Sequence, residues 1–103
     1  MGYKIIITES AKLQLEEIIS YIVNELYNEK AATEFLEKVR TRFNNIKITP
    51  YMYEVCRDKR LENKKFRKIV IDNYIMIYKV IENQNNIFIV GIFYSGQEYY
   101  KNL

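Results

Sequence analysis

Residues 66–93 read FRKIVIDNYIMIYKVIENQNNIFIVGIF. Isoleucine, valine, phenylalanine and tyrosine dominate this stretch, and such residues suit a pleated, half-buried surface. Two polar breaks divide it. Asp72-Asn73 suits a tight hairpin turn, because Asn tolerates positive φ. Residues 82–86 (ENQNN) form a polar loop. The spacing therefore predicts strands over 66–71, 74–81 and 87–93, joined as an antiparallel meander. The last of these, IFIVGIF, is apolar almost throughout, which predicts burial on both faces and a central place in the sheet.

Upstream the periodicity changes. Residues 3–8 (YKIIIT) form a short β-branched run, a further strand. Thr8 or Ser10 can cap the helix that follows. From about Ala11 the apolar residues take helical spacing: Leu15, Ile18, Ile19, Ile22, Val23 and Leu26 form one stripe. A break near Tyr27-Asn28 separates a second helix, whose stripe runs Ala31 or Ala32, Phe35, Leu36, Val39, Phe43 and Ile46. That helix must end before Pro50, since the residue ahead of a proline disfavours helical angles. With only three Gly and one Pro in the chain, long regular elements are expected. The order is strand, helix, helix, strand, strand, strand. The fold class is α+β: a two-helix antiparallel hairpin packed on one face of an antiparallel sheet of about four strands. The other sheet face is then open to a partner.

The 103 residues amount to one domain, 1–103, and 49% hydrophobic content is enough for one core. One cysteine, Cys56, excludes a disulfide framework and a cysteine-based metal site, and a lone thiol suits a reducing cytoplasm. Apolar runs fall short of a membrane span, and MGYKIII lacks the features of a signal peptide. A soluble cytoplasmic protein is expected. The chain has no histidine. That excludes a Ser-His-Asp triad, a Cys-His dyad, histidine metal sites and paired-histidine acid–base chemistry. No metal or cofactor is expected, and any catalysis must use Lys, Arg, Tyr, Glu or Asp.

The net charge of +3 is unevenly spread. Residues 57–68 (RDKRLENKKFRK) hold seven of the 16 basic and two of the 13 acidic side chains, so the remainder of the chain is slightly acidic. Arg57, Lys59, Arg60, Lys64, Lys65, Arg67 and Lys68 are candidate contacts to a polyanion or an acidic protein. The alternative is a solvated loop with an exposed edge kept soluble by lysines. Arg67 and Lys68, adjacent on a strand, face opposite sides of the sheet.

YKIIITESAKLQLEEIISYI, with Ala11, Leu15 and Ile18-Tyr21-Ile22, resembles the opening of the RelE/ParE toxin superfamily. AATEFLEKV and Pro50 resemble its second helix and the proline after it. Arg67, Asn73, Tyr74 and Tyr78 in FRKIVIDNYIMIYKV, and the ending IVGIFYSGQEYYKNL, resemble its strands and tail. The resemblance covers nearly the whole chain. It implies a plasmid-stabilisation type of toxin, the growth-inhibiting half of a bacterial type II toxin–antitoxin module. The partners implied are a cognate antitoxin and, as target, DNA gyrase or the ribosome with its mRNA. A homodimer is left open, and no membrane partner is implied.

Members that cleave messenger RNA on the ribosome carry one Arg after the turn aromatic of the middle strand and another after the final Gly. The matching positions here are Ile75 and Gln97. An alkyl or amide group does not stabilise charge developing on a phosphoryl group as an Arg does. The resemblance therefore leans towards a ParE-like, non-catalytic block of gyrase. The alternatives are a RelE-type ribosome-dependent endoribonuclease and a degenerate toxin or nucleic-acid-binding module. Arg67, Tyr94 and Gln97 are the weak catalytic candidates. Tyr94 is expected to close the core rather than to donate a proton or stack on a base. Gly96 is expected to permit a turn, and Tyr99, Tyr100 and Leu103 to fold back over the domain. Tyr74 and Tyr78, four apart on one strand, share a face and are expected in the core. Cys56 is read as an incidental loop thiol.

Overall fold

The structure, a computed structural model, describes residues 2–56 and 65–96. Strand β1 (Lys4–Ile7) leads into helix α1 (Glu9–Ser20), which runs on as a single wider π-helical turn, Tyr21–Glu25. Helix α2 spans Glu29–Ile48. Strands β2 (Arg67–Ile71), β3 (Tyr74–Ile81) and β4 (Asn86–Tyr94) follow. The strand order is β1-β4-β3-β2, so β4 is internal, as its apolar run predicts.

Both helices start where the sequence places a cap. The Thr8 hydroxyl accepts from the Ala11 N–H at 3.2 Å. The Asn28 side chain accepts from the Ala31 N–H at 2.9 Å. Each satisfies a backbone donor that has no partner inside the helix. Between them Tyr27 takes a φ of 49°, and the Asn28 N–H reaches back to the Ile22 carbonyl at 3.1 Å, closing the break.

The sheet is mixed rather than wholly antiparallel. Strands β2, β3 and β4 form the expected meander, but β1 pairs with β4 in parallel, Lys4 against Asn86 through Ile7 against Ile89. The path of the chain dictates this. Helix α1 continues upward from β1, bringing Gln14 beside Ile92 of β4. Helix α2 returns, and its Lys47 carbonyl meets the Tyr3 N–H at 3.1 Å, at the foot of β1. The chain is then back where β1 began, so β2 and, after the meander, β4 run in the direction of β1. The hairpin turn places its positive φ at Asp72 (52°) rather than at Asn73.

The core has two compartments. Ala11, Ile18, Phe35, Val39 and Ile46 from the helices meet Ile69, Met76, Tyr78, Ile87 and Ile89 from one sheet face. Tyr74 packs against this cluster and Tyr78 lies inside it, so both share the helix-facing side. The opposite face is not bare. Ile75, Ile77 and Phe93 are buried there with Cys56 and Phe66. Cys56 is thus a core residue at 1% exposure, not an incidental loop thiol. Phe66 precedes the strand rather than starting it. A register shift between Ile77 and Tyr78 leaves Val90 of β4 as an extra residue, turned towards this second cluster. No helix among the described residues is long and apolar enough to cross a membrane.

Candidate functional site

The expected basic patch divides in three. Arg57, Lys59, Arg60 and Lys64 lie outside the described residues, as do Gln97, Tyr99, Tyr100 and Leu103. Arg67 lies opposite Tyr78 in the β2–β3 register, on the face that carries Ile69 and Met76. Lys68 lies opposite Ile77, on the other face. The strand therefore separates the two cations, as its alternation requires.

Arg67 is held rather than loose. Its guanidinium donates to the Tyr53 carbonyl at 2.6 Å and, at a longer 3.5 Å, to the Tyr51 carbonyl. It also lies 4.9 Å from the centre of the Tyr51 ring, within cation–π range. Arg67 thus ties the segment after α2 onto the first residue of β2. Beneath it, the Tyr78 hydroxyl donates to the Pro50 carbonyl at 2.7 Å. Glu54 and Cys56 extend the tie. The Lys68 N–H donates to the Glu54 carbonyl at 3.3 Å, and the Cys56 N–H to the Phe66 carbonyl at 2.7 Å.

Arg67 and Lys65 share a cavity of about 640 Å³ with Tyr51, Val55, Val80 and Glu82. Lys65 enters it from a left-handed residue, φ 58°. The cavity offers two cations, an aromatic ring and one opposing carboxylate, which suits an acidic group rather than a metal ion. Burial, then the Glu82 carboxylate, pushes the Tyr51 hydroxyl above its ordinary value. Burial pushes Tyr78 up to about 12 and likewise raises Tyr74. These phenols stay protonated near neutral pH, so none serves there as a general base.

Across the sheet lies Ile75, which the resemblance matches to an arginine of the RNA-cleaving members. It is 9% exposed and packs with Cys56, Phe66, Ile77 and Phe93. Lys79 places its ammonium 5.8 Å from the Phe66 ring centre, at the margin of this cluster. Lys68 borders the same face.

Tyr94 does not close the core. It is 56% exposed and lies at the far end of the sheet from Arg67, opposite Tyr74 in the β3–β4 register. The two rings meet edge to face, centres 6.0 Å apart. With Gln14, Glu17, Ile18, Tyr21, Ile92 and Phe93 they line a cleft of about 360 Å³. The sequence reading passed over Gln14, Glu17, Tyr51 and Tyr53. Only Tyr21 carries a signal there, in the Ile18-Tyr21-Ile22 pattern of the resemblance; the others join their sites through contacts distant in sequence.

The family model for the ParE toxin of type II toxin–antitoxin systems matches residues 5–99. The chain belongs to the ParE toxin family. A solved structure, the toxin–antitoxin complex RelBE2 from Mycobacterium tuberculosis, is similar in fold. It is 13% identical, covers 91% of this chain and 99% of that chain, and gives a TM-score of 0.59. A comparison with curated protein sequences finds no match. The resemblance read from the sequence is therefore upheld: this ParE-family chain is a type II toxin with two helices on a four-stranded sheet.

Proposed function

We propose that this toxin arrests growth in the cytoplasm by binding DNA gyrase, without cutting RNA, until a cognate antitoxin covers it. The observation that carries this reading is the burial of Ile75. A RelE-type nuclease needs a cation at that position, facing substrate. Here the position holds an alkyl side chain packed into a cluster on the sheet face where a substrate would lie.

The basic stretch makes the target contact in this proposal. Lys65 and Arg67 offer a cavity to an acidic group, Lys68 borders the opposite face, and Arg57, Lys59, Arg60 and Lys64 add long-range attraction. The antitoxin lays an acidic segment across this surface and neutralises it.

The test is induced expression without antitoxin, with transcript-end mapping and DNA-damage signalling followed together, and gyrase supercoiling measured with purified toxin. Damage signalling, intact transcripts and inhibited supercoiling are expected. Codon-phased cuts without damage signalling would show a ribosome-dependent nuclease and overturn the proposal.

A further inference from the structure

The cleft at the Tyr94 end has a chemistry of its own. Three phenol rings, Tyr21 from the π-helical turn, Tyr74 from β3 and Tyr94 from β4, line it together. Tyr21 and Tyr94 leave about half of their surface in solvent, 48% and 56%. One charged group, Glu17, lies among the lining residues, one helical turn before Tyr21. Glu17 is exposed and makes no ion pair among the described residues, where the one bridge joins Lys38 to Asp72 at 2.7 Å. That bridge occupies the lysine beside the β2–β3 turn, at the same end of the molecule.

The Gln14 amide in the lining is engaged elsewhere. Gln14 accepts from the Ile92 N–H at 3.0 Å, capping the edge of β4 where β1 has ended. Phe35 holds Tyr74 from below, ring centres 5.2 Å apart. The cleft thus has a packed floor, two aromatic walls and a carboxylate that no cation pairs with among the described residues. Aromatic faces carry negative potential and attract cations, and a carboxylate at the rim adds to that. The same carboxylate repels a phosphate, which disfavours a nucleotide in this place.

We propose that this cleft is a receptor for one basic side chain, lysine or arginine, presented by a protein partner. It is separate from the basic cavity at Arg67, which lies at the opposite end of β2, and it does not depend on the gyrase reading. The two regions have complementary preferences: one takes an acidic group, the other a cation. A partner that engages both would bind in one orientation only.

The experiment uses the full chain with ¹³C-labelled tyrosine rings. Capped pentapeptides with a central lysine, arginine, norleucine or glutamate between alanines are titrated in turn. Saturable shifts of the Tyr21, Tyr74 and Tyr94 ring signals are expected with lysine and arginine. The norleucine peptide should bind roughly fivefold or more weakly, and the glutamate peptide should not bind. Glu17→Gln should weaken the lysine peptide by roughly two- to fivefold, and Tyr94→Leu by a similar factor. Both positions are exposed, so both variants keep the fold, which unshifted signals elsewhere would verify. Equal binding of lysine and norleucine would make the cleft a plain apolar pocket and overturn the proposal. So would shifts that persist unchanged in both variants, or no shift with any cation.

Discussion

Ile75 occupies the position that the resemblance matches to a catalytic arginine. Its side chain is packed among Cys56, Phe66, Ile77 and Phe93, so a cation cannot simply be restored there. Ile75→Arg should destabilise the protein by about 3 kcal/mol or more, the cost of placing a charge in an apolar cluster, read as a lowered urea midpoint. Ile75→Val should cost only about 1 kcal/mol. Tyr78 gives a pH signature. Its phenol ionises near 10.0 when unfolded, and burial raises that to about 12 in the fold, offset in part by Arg67. A raised value means that the fold favours the neutral phenol. Its contribution is therefore complete below pH 10 and is lost as the pH climbs through 12. Tyr74 shifts the same way, so the comparison must be with Tyr78→Phe. That variant should lose about 1–3 kcal/mol at pH 8, because the Pro50 carbonyl is left without its donor. The gap between the two proteins should narrow in urea unfolding above pH 10.

At the scale of elements, Arg67 ties the segment after α2 to β2 through a short bond to the Tyr53 carbonyl and its contact with the Tyr51 ring. Arg67→Ala should cost about 1.5–3 kcal/mol, since it removes a charged hydrogen bond to a backbone carbonyl and a ring contact. Loss of toxicity in that variant would then report loosening of the segment as well as loss of a cation. Arg67→Lys keeps the charge and loses the fork geometry, so comparing growth arrest in the two separates charge from positioning. The bulge in β4 makes a second demand. A β-carbon at Gly91 would come within 2.3 Å of the Phe93 ring, which is itself buried. Gly91→Ala should cost about 1–3 kcal/mol and, by displacing Phe93, speed the reaction of buried Cys56 with a thiol reagent. The helix starts at Thr8 and Asn28 were legible from residue type alone, because a cap is a contact three residues away. Burial of Cys56 was not, since it depends on Ile75 and Ile77 of β3 and Phe93 of β4 closing over it.

At the scale of the molecule, β3 and β4 are paired on both sides, whereas β2 has β3 on one side and, among the described residues, only a short bridge, Val55 to Arg67, on the other. Hydrogen exchange should accordingly be slowest for amides of β3 and β4. The π-helical turn Tyr21–Glu25, with much of its surface in solvent, should exchange by smaller openings. Equal protection of that turn and β4 would contradict a two-sided core centred on β4. Local pattern was enough for the α+β class, the element order, the internal position of β4 and the opposite facing of Arg67 and Lys68. All four follow from local periodicity and apolar content, which a strand or helix displays along its own length. Long-range packing set the rest: β1 joins β4 in parallel, the second sheet face is filled, Arg67 is a tie, and Tyr94 stands open beside Tyr21 and Glu17. These depend on which distant segments share a boundary, and no single segment's pattern encodes its neighbours.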